Sequence, residues 1–214
     1  MRTPGFGMIK VRDLVYQNFK SLTWDEAIDL LAKNDACPGS CLAVCYYNKT
    51  CTKVGEAVIP GGEKCTVGIR LVNRERKFCK AGGTLMVNYE YEVVEVNDQD
   101  VVLECIRSNG NVRLTCSKYH VYSSMHWAWT RTCHSLQGSS VEGTLIMFDL
   151  AKRHISPEFV YVAMTRAREL NQIYHVNPES QVEYEIKTQS KKRELICPEK
   201  ENTSRCANKK QKRA

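Results

Sequence analysis

At 214 residues the chain can hold one or two domains with a real core, and 43% apolar residues is ordinary for a globular protein. No apolar run approaches the roughly 20 residues that cross a bilayer, and the N-terminal MRTPGFGMIKVRDLVYQ has no apolar signal core, so neither a membrane protein nor a secreted one is expected. The net charge of +7 belongs to the tail: residues 187–214 carry ten Lys+Arg against three Asp+Glu, leaving 21 of each sign over residues 1–186 and no basic face on the body.

The 11 cysteines are an odd number. Without a secretory signal they read as reduced intracellular thiols, several of them small core residues. Cys37, Cys41 and Cys45 are spaced four apart and Cys51 follows, a pattern open to zinc. Cys45, however, lies inside the apolar run CLAVCYY, where a buried strand position accounts for it, so no metal site is assigned. Cys197 and Cys206 have no nearby histidine and read as free thiols.

In chain order, residues 1–20 read as irregular. Thr23 opens TWDEAIDLLAKN, where Thr23 and Glu26 form a capping box and Trp24, Ala27, Ile28 and Leu31 mark one helical face. Pro38-Gly39 ends that helix. CLAVCYY, residues 41–47, reads as a buried strand, and a helix is expected from about Lys49. Between 65 and 125 the segments CTVGIRLVNRE, TLMVNYEYEVVEV, VVLECIRS and VRLTCS are strand-like, with an Asn109-Gly110 hairpin signal between the last two. They predict a small antiparallel sheet or barrel of about five strands. HWAWTRTC reads as one strand, CHSLQG as a loop or short helix, and TLIMFDL as a second buried strand. Ser156 caps a helix with Pro157 at its first position, predicted to run to about Arg168. IYHV, residues 173–176, is the last strand. From residue 187 onward the chain is Lys-, Gln-, Asn- and Ser-rich and reads as a disordered basic tail.

Loops beyond the carboxyl ends of strands in α/β sheets are where ligands sit. The loop Cys133–Gly138 offers an imidazole, a hydroxyl, an amide and a glycine, which suit phosphate, ribose or base edges. Arg166 and Arg168 follow an apolar run, and an arginine held on a packed helix can stabilise a transferring phosphoryl group. On spacing alone, a satisfied turn histidine explains His134 equally well, and a solvated helix-end charge explains Arg168.

WTRTCHSLQGSSVEG, residues 129–143, resembles motif V of superfamily 1 helicases, T-x-H-x-x-Q-G. YVAMTRARE, residues 161–169, resembles motif VI, Y-V-A-hydrophobic-[ST]-R-A, in the right order. AVCYYNKTCTKVG resembles the motif IV region. GGTLMVNYEYEVVEV resembles the β segment inserted before motif V in the Pif/RecD branch. The similarity spans about residues 40–178.

This resemblance implies an α/β fold: a RecA-like second motor domain, the UvrD-like C-terminal domain, with an inserted small antiparallel SH3-like β module. The expected parts are an N-terminal segment with one helix (1–40), the RecA-like domain (41–64 and 126–186), a barrel-like insertion (65–125) and the tail (187–214). Arg166 takes the arginine-finger place. Gln137 and Gly138 fall on the nucleotide side, with Glu142 as the counterpart of a glutamate that many relatives carry two residues after the glycine. Here Ser139-Ser140-Val141 intervene. Thr132, His134 and Ser135 fall on the single-strand backbone, and Asn48 is a further nucleic-acid contact.

A complete helicase also needs a G-x-x-x-x-G-K-[ST] loop and an acidic Walker B strand end, and this sequence has neither. The expected function is therefore the C-terminal part of an ATP-dependent superfamily 1 DNA helicase, in replication or repair, inactive without an N-terminal ATP-binding domain in cis or on a separate chain. ATP and Mg2+ would be held mainly by that domain, and single-stranded DNA is the expected partner. The alternative is a non-catalytic nucleic-acid-binding or adaptor module derived from a helicase. An intracellular location is expected, the nucleus and a viral replication site being the candidates.

Overall fold

The computed structural model describes residues 13–33, 40–59, 61–79, 82–106, 112–138, 140–152 and 155–196, with side chains as far as Ser190. The body is a five-stranded sheet in which every pairing is parallel. Its order is β1 (Lys20–Leu22), β12 (Ile173–Val176), β11 (Thr144–Met147), β2 (Cys41–Cys45) and β10 (Thr130–Thr132). A parallel sheet is covered on both faces, so its central strands must be apolar throughout. In β2 all five residues are buried: Cys41, Ala43 and Cys45 join one core, and Leu42 and Val44 join the other.

Helices α2 (Trp24–Lys33), α3 (Asn48–Val58) and α6 (Pro178–Ile196) cover the first face. The α2 start is fixed by the capping box: Thr23 N donates to Glu26 Oε2 at 2.7 Å, and Glu26 N donates to Thr23 Oγ1 at 3.2 Å. Trp24 then stacks on Tyr184 with ring centroids 4.1 Å apart and meets Phe148 edge-on at 5.4 Å. Such aromatic pairs add about 0.5–1.5 kcal/mol each beyond area burial. Helix α5 (Pro157–Met164) covers the opposite face through Phe159, Val160 and Ala163, and Val15 from the helical residues 13–18 (α1) joins it.

Between α3 and β10 the chain leaves the body and builds an antiparallel sheet. Its strands are β3 (Arg70–Asn73), β6 (Glu90–Val96), β7 (Asp100–Cys105), β8 (Arg113–Ser117) and β9 (Met125–Trp127), in the order β8-β7-β6-β3-β9. A short hairpin, β4 (Lys77–Phe78) with β5 (Thr84–Leu85), projects from it. Helix α4 (Lys118–Ser124), capped by the Ser117 side chain, carries the chain from β8 to β9. Module and body share one core because Gly55 of α3 seats the Trp127 indole: a Cβ at Gly55 would collide with that ring. Lys64 closes the seam, its buried ammonium donating to the Tyr122 and Met125 carbonyls at 3.2 and 2.6 Å and lying 4.9 Å from the Trp127 ring.

Several sequence expectations change. The first 40 residues hold more than the one expected helix: residues 13–18 are helical, and Lys20–Leu22 pairs with β12 as an edge strand. HWAWTRTC is two strands: β9 belongs to the antiparallel sheet and β10 to the parallel one, so the chain re-enters the body at Thr130 rather than at 126. TLMVNYEYEVVEV is broken into β5 and β6 at Asn88, which takes φ +61°. Helix α5 stops at Met164 rather than near Arg168. The tail is helical as far as Ile196 instead of disordered from 187. Its first turns are pinned by Tyr184 and by Glu185, which meets Lys152 at 2.8 Å, and Lys-, Gln- and Glu-rich sequence prolongs an anchored helix readily. The Asn109-Gly110 turn, Cys37, Cys197 and Cys206 lie outside the described residues.

Candidate functional site

The candidate residues fall into two groups linked by one turn. In the first, β10 ends at Thr132, which caps a 3-10 turn over Cys133–Leu136. Thr132 Oγ1 accepts from Ser135 N at 3.4 Å, and Ser135 Oγ donates to Thr132 O at 2.8 Å. Both side chains are thereby held in place while Thr132 keeps its hydroxyl proton for a ligand. Thr132, Ser135 and Asn48 line one wall of a small, solvent-open cleft. The other wall comes from the antiparallel module, through Arg74, Asn88 and His126. His134 is exposed beside it. Gln137 and Gly138 form the exposed turn that follows, where Gly138 supplies a φ of +84°.

The start of α3, which carries Asn48, is anchored by a buried carboxylate. Asp149, fully buried at φ +66°, accepts from Tyr46 N at 3.1 Å, Tyr47 N at 3.2 Å and Thr50 Oγ1 at 2.8 Å. Gln181 Nε2 donates to it at 2.8 Å. It thus ties the end of β2, the start of α3, the end of β11 and α6 to one point.

In the second group, Val141 and Ala167 form a parallel bridge. Val141 N donates to Arg166 O at 2.7 Å, and Arg168 N donates to Val141 O at 3.3 Å. Past the end of α5, Arg166 N still donates to Ala163 O at 3.1 Å, but the Arg166 carbonyl and the Arg168 N–H turn to Val141. The two arginines then differ sharply. Arg168 pairs with Glu142 at 2.7 Å, but both side chains are well over half exposed, so this is a solvent-screened surface pair. Arg166 is half-buried; its Nε donates to Val162 O at 3.3 Å and its Nη2 to Thr165 Oγ1 at 3.2 Å. It lies close enough to Cys133 for its charge to oppose the rise of that thiol, which burial pushes up to about 11. Glu142 is thus engaged by Arg168, while Arg166 is aligned by a helix-end carbonyl and a hydroxyl.

Sequence reading missed Arg74, Asn88, His126 and Asp149. The basic run NRERK was a signal for the first of these. The others meet their partners only through tertiary structure. The buried thiols Cys41, Cys45 and Cys51 are free, and among the described residues no group of three His, Cys, Asp or Glu side chains is placed to hold a metal ion. Among the same residues no helix is long and apolar enough to cross a membrane.

Neither a protein-family model nor a curated protein matches the sequence. Among solved structures, the chain is similar to Pif1 helicases described as unwinding forked dsDNA in coordinating pairs, at 17% identity over 89% of this chain and 54% of that one, with a TM-score of 0.48. It is similar to the Bacteroides Pif1 helicase in complex with ADP-AlF3 and ssDNA, at 16% identity over 89% of this chain and 55% of that one, with a TM-score of 0.47. The Candida albicans Pif1 helicase gives 12% identity over 84% and 57%, with a TM-score of 0.42. The chain spans about half the length of these structures.

Proposed function

We propose that this chain is the second motor domain of a superfamily 1 DNA helicase, supplying an arginine finger and part of a single-strand track. The observation that carries the reading is the Val141–Ala167 bridge, which joins the segments resembling motifs V and VI side by side. In this reading Arg166 faces the nucleotide held by a first motor domain. Its delocalised charge never deprotonates and suits phosphate oxygens. The alignment of its guanidinium by Val162 O and Thr165 Oγ1 supports that role, since a charge pre-positioned on a packed element costs little reorganisation. Gln137, Gly138 and Glu142 border the nucleotide. MgATP supplies the free energy of closure when bound, and this chain, which carries no phosphate-cradling loop, hydrolyses it only with the partner domain. The antiparallel module is read as the SH3-like insertion of the Pif/RecD branch, gripping strands at the seam.

Thr132, Ser135 and Asn48 bind the nucleic-acid backbone in this reading, with His134 beside them. Their cleft lies wholly within this chain. That favours one second reading, an adaptor that binds nucleic acid with no catalytic step.

Mixing the chain with a Walker-bearing first motor domain tests the proposal. Single-strand-stimulated ATP hydrolysis should appear, and Arg166→Ala should abolish it. Binding of single strands without any gain in hydrolysis would favour the adaptor.

A further inference from the structure

Arg70, Arg113 and Arg74 of the antiparallel module are held in two ways. Arg70 meets Glu92 and Arg113 meets Glu104, each at 3.1 Å, so a carboxylate offsets each charge. Arg74, in the cleft, instead donates from Nη1 to His126 Nε2 at 2.9 Å. Burial lowers the His126 ring to about 4, and the charges of Arg74, Lys64 and Arg131 push the same way. The imidazole is therefore neutral near pH 7 and presents Nε2 as an acceptor. A neutral ring fixes the direction of the guanidinium without cancelling its charge.

Arg131 of β10 lines the same cleft, with a Glu90 oxygen 4.0 Å from its Nη2, the outer limit of an ion pair. Arg131 thus brings a second guanidinium group to the cleft beside Arg74. The Thr132 hydroxyl and the Asn48 carboxamide add neutral donors. Forked cations with neutral donors around a solvent-open cleft are the chemistry that recognises phosphate.

We propose that Arg74, oriented by His126, and Arg131 form a phosphate notch at the seam of body and module that takes a backbone phosphate of single-stranded nucleic acid. The nucleic acid as the source of that phosphate rests on the reading of Thr132, Ser135 and Asn48 given above. The notch adds the module as a second hand on the strand: Arg74 follows β3 and Arg131 sits on β10, so one phosphate is held from both sheets. His126 is a positioning residue, since it acts through Arg74.

The test uses the full chain. Anisotropy of a labelled oligothymidylate is measured across a salt series for wild type, Arg74→Ala and the off-site control Arg113→Ala, which lies on the far edge strand β8. Loss of one phosphate contact should lower the slope of log K against log salt by about 0.7 in Arg74→Ala. The control should keep the wild-type slope. His126→Phe should weaken binding severalfold, and His126→Gln, which keeps a neutral acceptor, should restore it. In parallel, inorganic phosphate is titrated while the His126 ring signals are followed by NMR. Shifts at His126 together with the slope change establish the notch and its ligand. Phosphate shifts without oligonucleotide binding would overturn the nucleic-acid reading and leave a free-phosphate site. Oligonucleotide binding with an unchanged slope in Arg74→Ala and no phosphate shift would overturn the notch alone. Neither response would overturn both.

Discussion

Val141 and Ala167 face each other in a parallel bridge, and through it the 166–168 segment is fastened to Val141 by hydrogen bonds of 2.7 and 3.3 Å. The bridge separates two arginines that the sequence sets two residues apart. Arg166 turns to the carbonyl and hydroxyl at the end of α5, and Arg168 turns outward to Glu142.

Arg168→Ala and Glu142→Ala should each change unfolding free energy by less than about 1 kcal/mol, because exposed ion pairs contribute about 0.2–1 kcal/mol and are screened by salt. Urea titrations in low and high salt check this. A loss well beyond that range would mean that the pair helps to hold the bridge.

Asp149→Ala removes the acceptor of the Tyr46 N, Tyr47 N, Thr50 Oγ1 and Gln181 Nε2 hydrogens and puts alanine at φ +66°. Buried donors left without a partner cost about 1–3 kcal/mol each. Urea unfolding should show a loss of at least about 3 kcal/mol, since several such donors are stranded at once. Asp149→Asn, which tolerates the left-handed backbone, should lose less.

Gly55→Ala should destabilise the chain by about 1–3 kcal/mol, the usual cost of overpacking a filled core. The added Cβ meets the Trp127 ring that joins module to body. A double variant with Trp127→Leu should be less destabilised than the sum of the single variants, a coupling read from a double-mutant cycle. Additive losses would show that the glycine is not the seat of that ring.

Acid should destabilise the fold from about pH 6.5 downward, where unperturbed histidine begins to titrate. His126 binds its proton only near pH 4 when folded, and burial lowers His120 and His175 in the same direction. The unfolded chain thus binds more protons between those limits, and stability rises with pH there. His126→Gln should flatten part of the slope between pH 4 and 6.5 in urea midpoints, and Arg74→Ala should raise the His126 pKa seen by NMR, because one opposing charge is gone.

Local signals were legible in the sequence. The Thr23–Glu26 box, the Ser156-Pro157 start of α5 and the fully apolar β2 each declare themselves within a few residues. Strand alternation marks a pleated segment but not the sheet it joins, so HWAWTRTC read as one strand although its halves belong to two sheets. The end of α5 was hidden because no glycine or proline marks it, and the chain just beyond turns to Val141. At the site, the motif residues were visible, but Arg74 meets His126 across 52 residues and Gln181 meets Asp149 across 32. No window along the chain joins those pairs. The polar tail misled for a similar reason: α6 is held by Trp24 and Asp149, which lie far upstream of it.

The most direct measurement compares Arg166→Ala with Arg168→Ala for single-strand-stimulated ATP hydrolysis by this chain together with a Walker-bearing first motor domain. An arginine finger contributes about 10³–10⁵ to kcat. The account predicts a loss of about 10³-fold or more for Arg166→Ala, with KM little changed, and a rate for Arg168→Ala within about threefold of wild type, as a screened surface pair allows. Equal losses for the two variants, or a stimulated rate that survives Arg166→Ala, would contradict it.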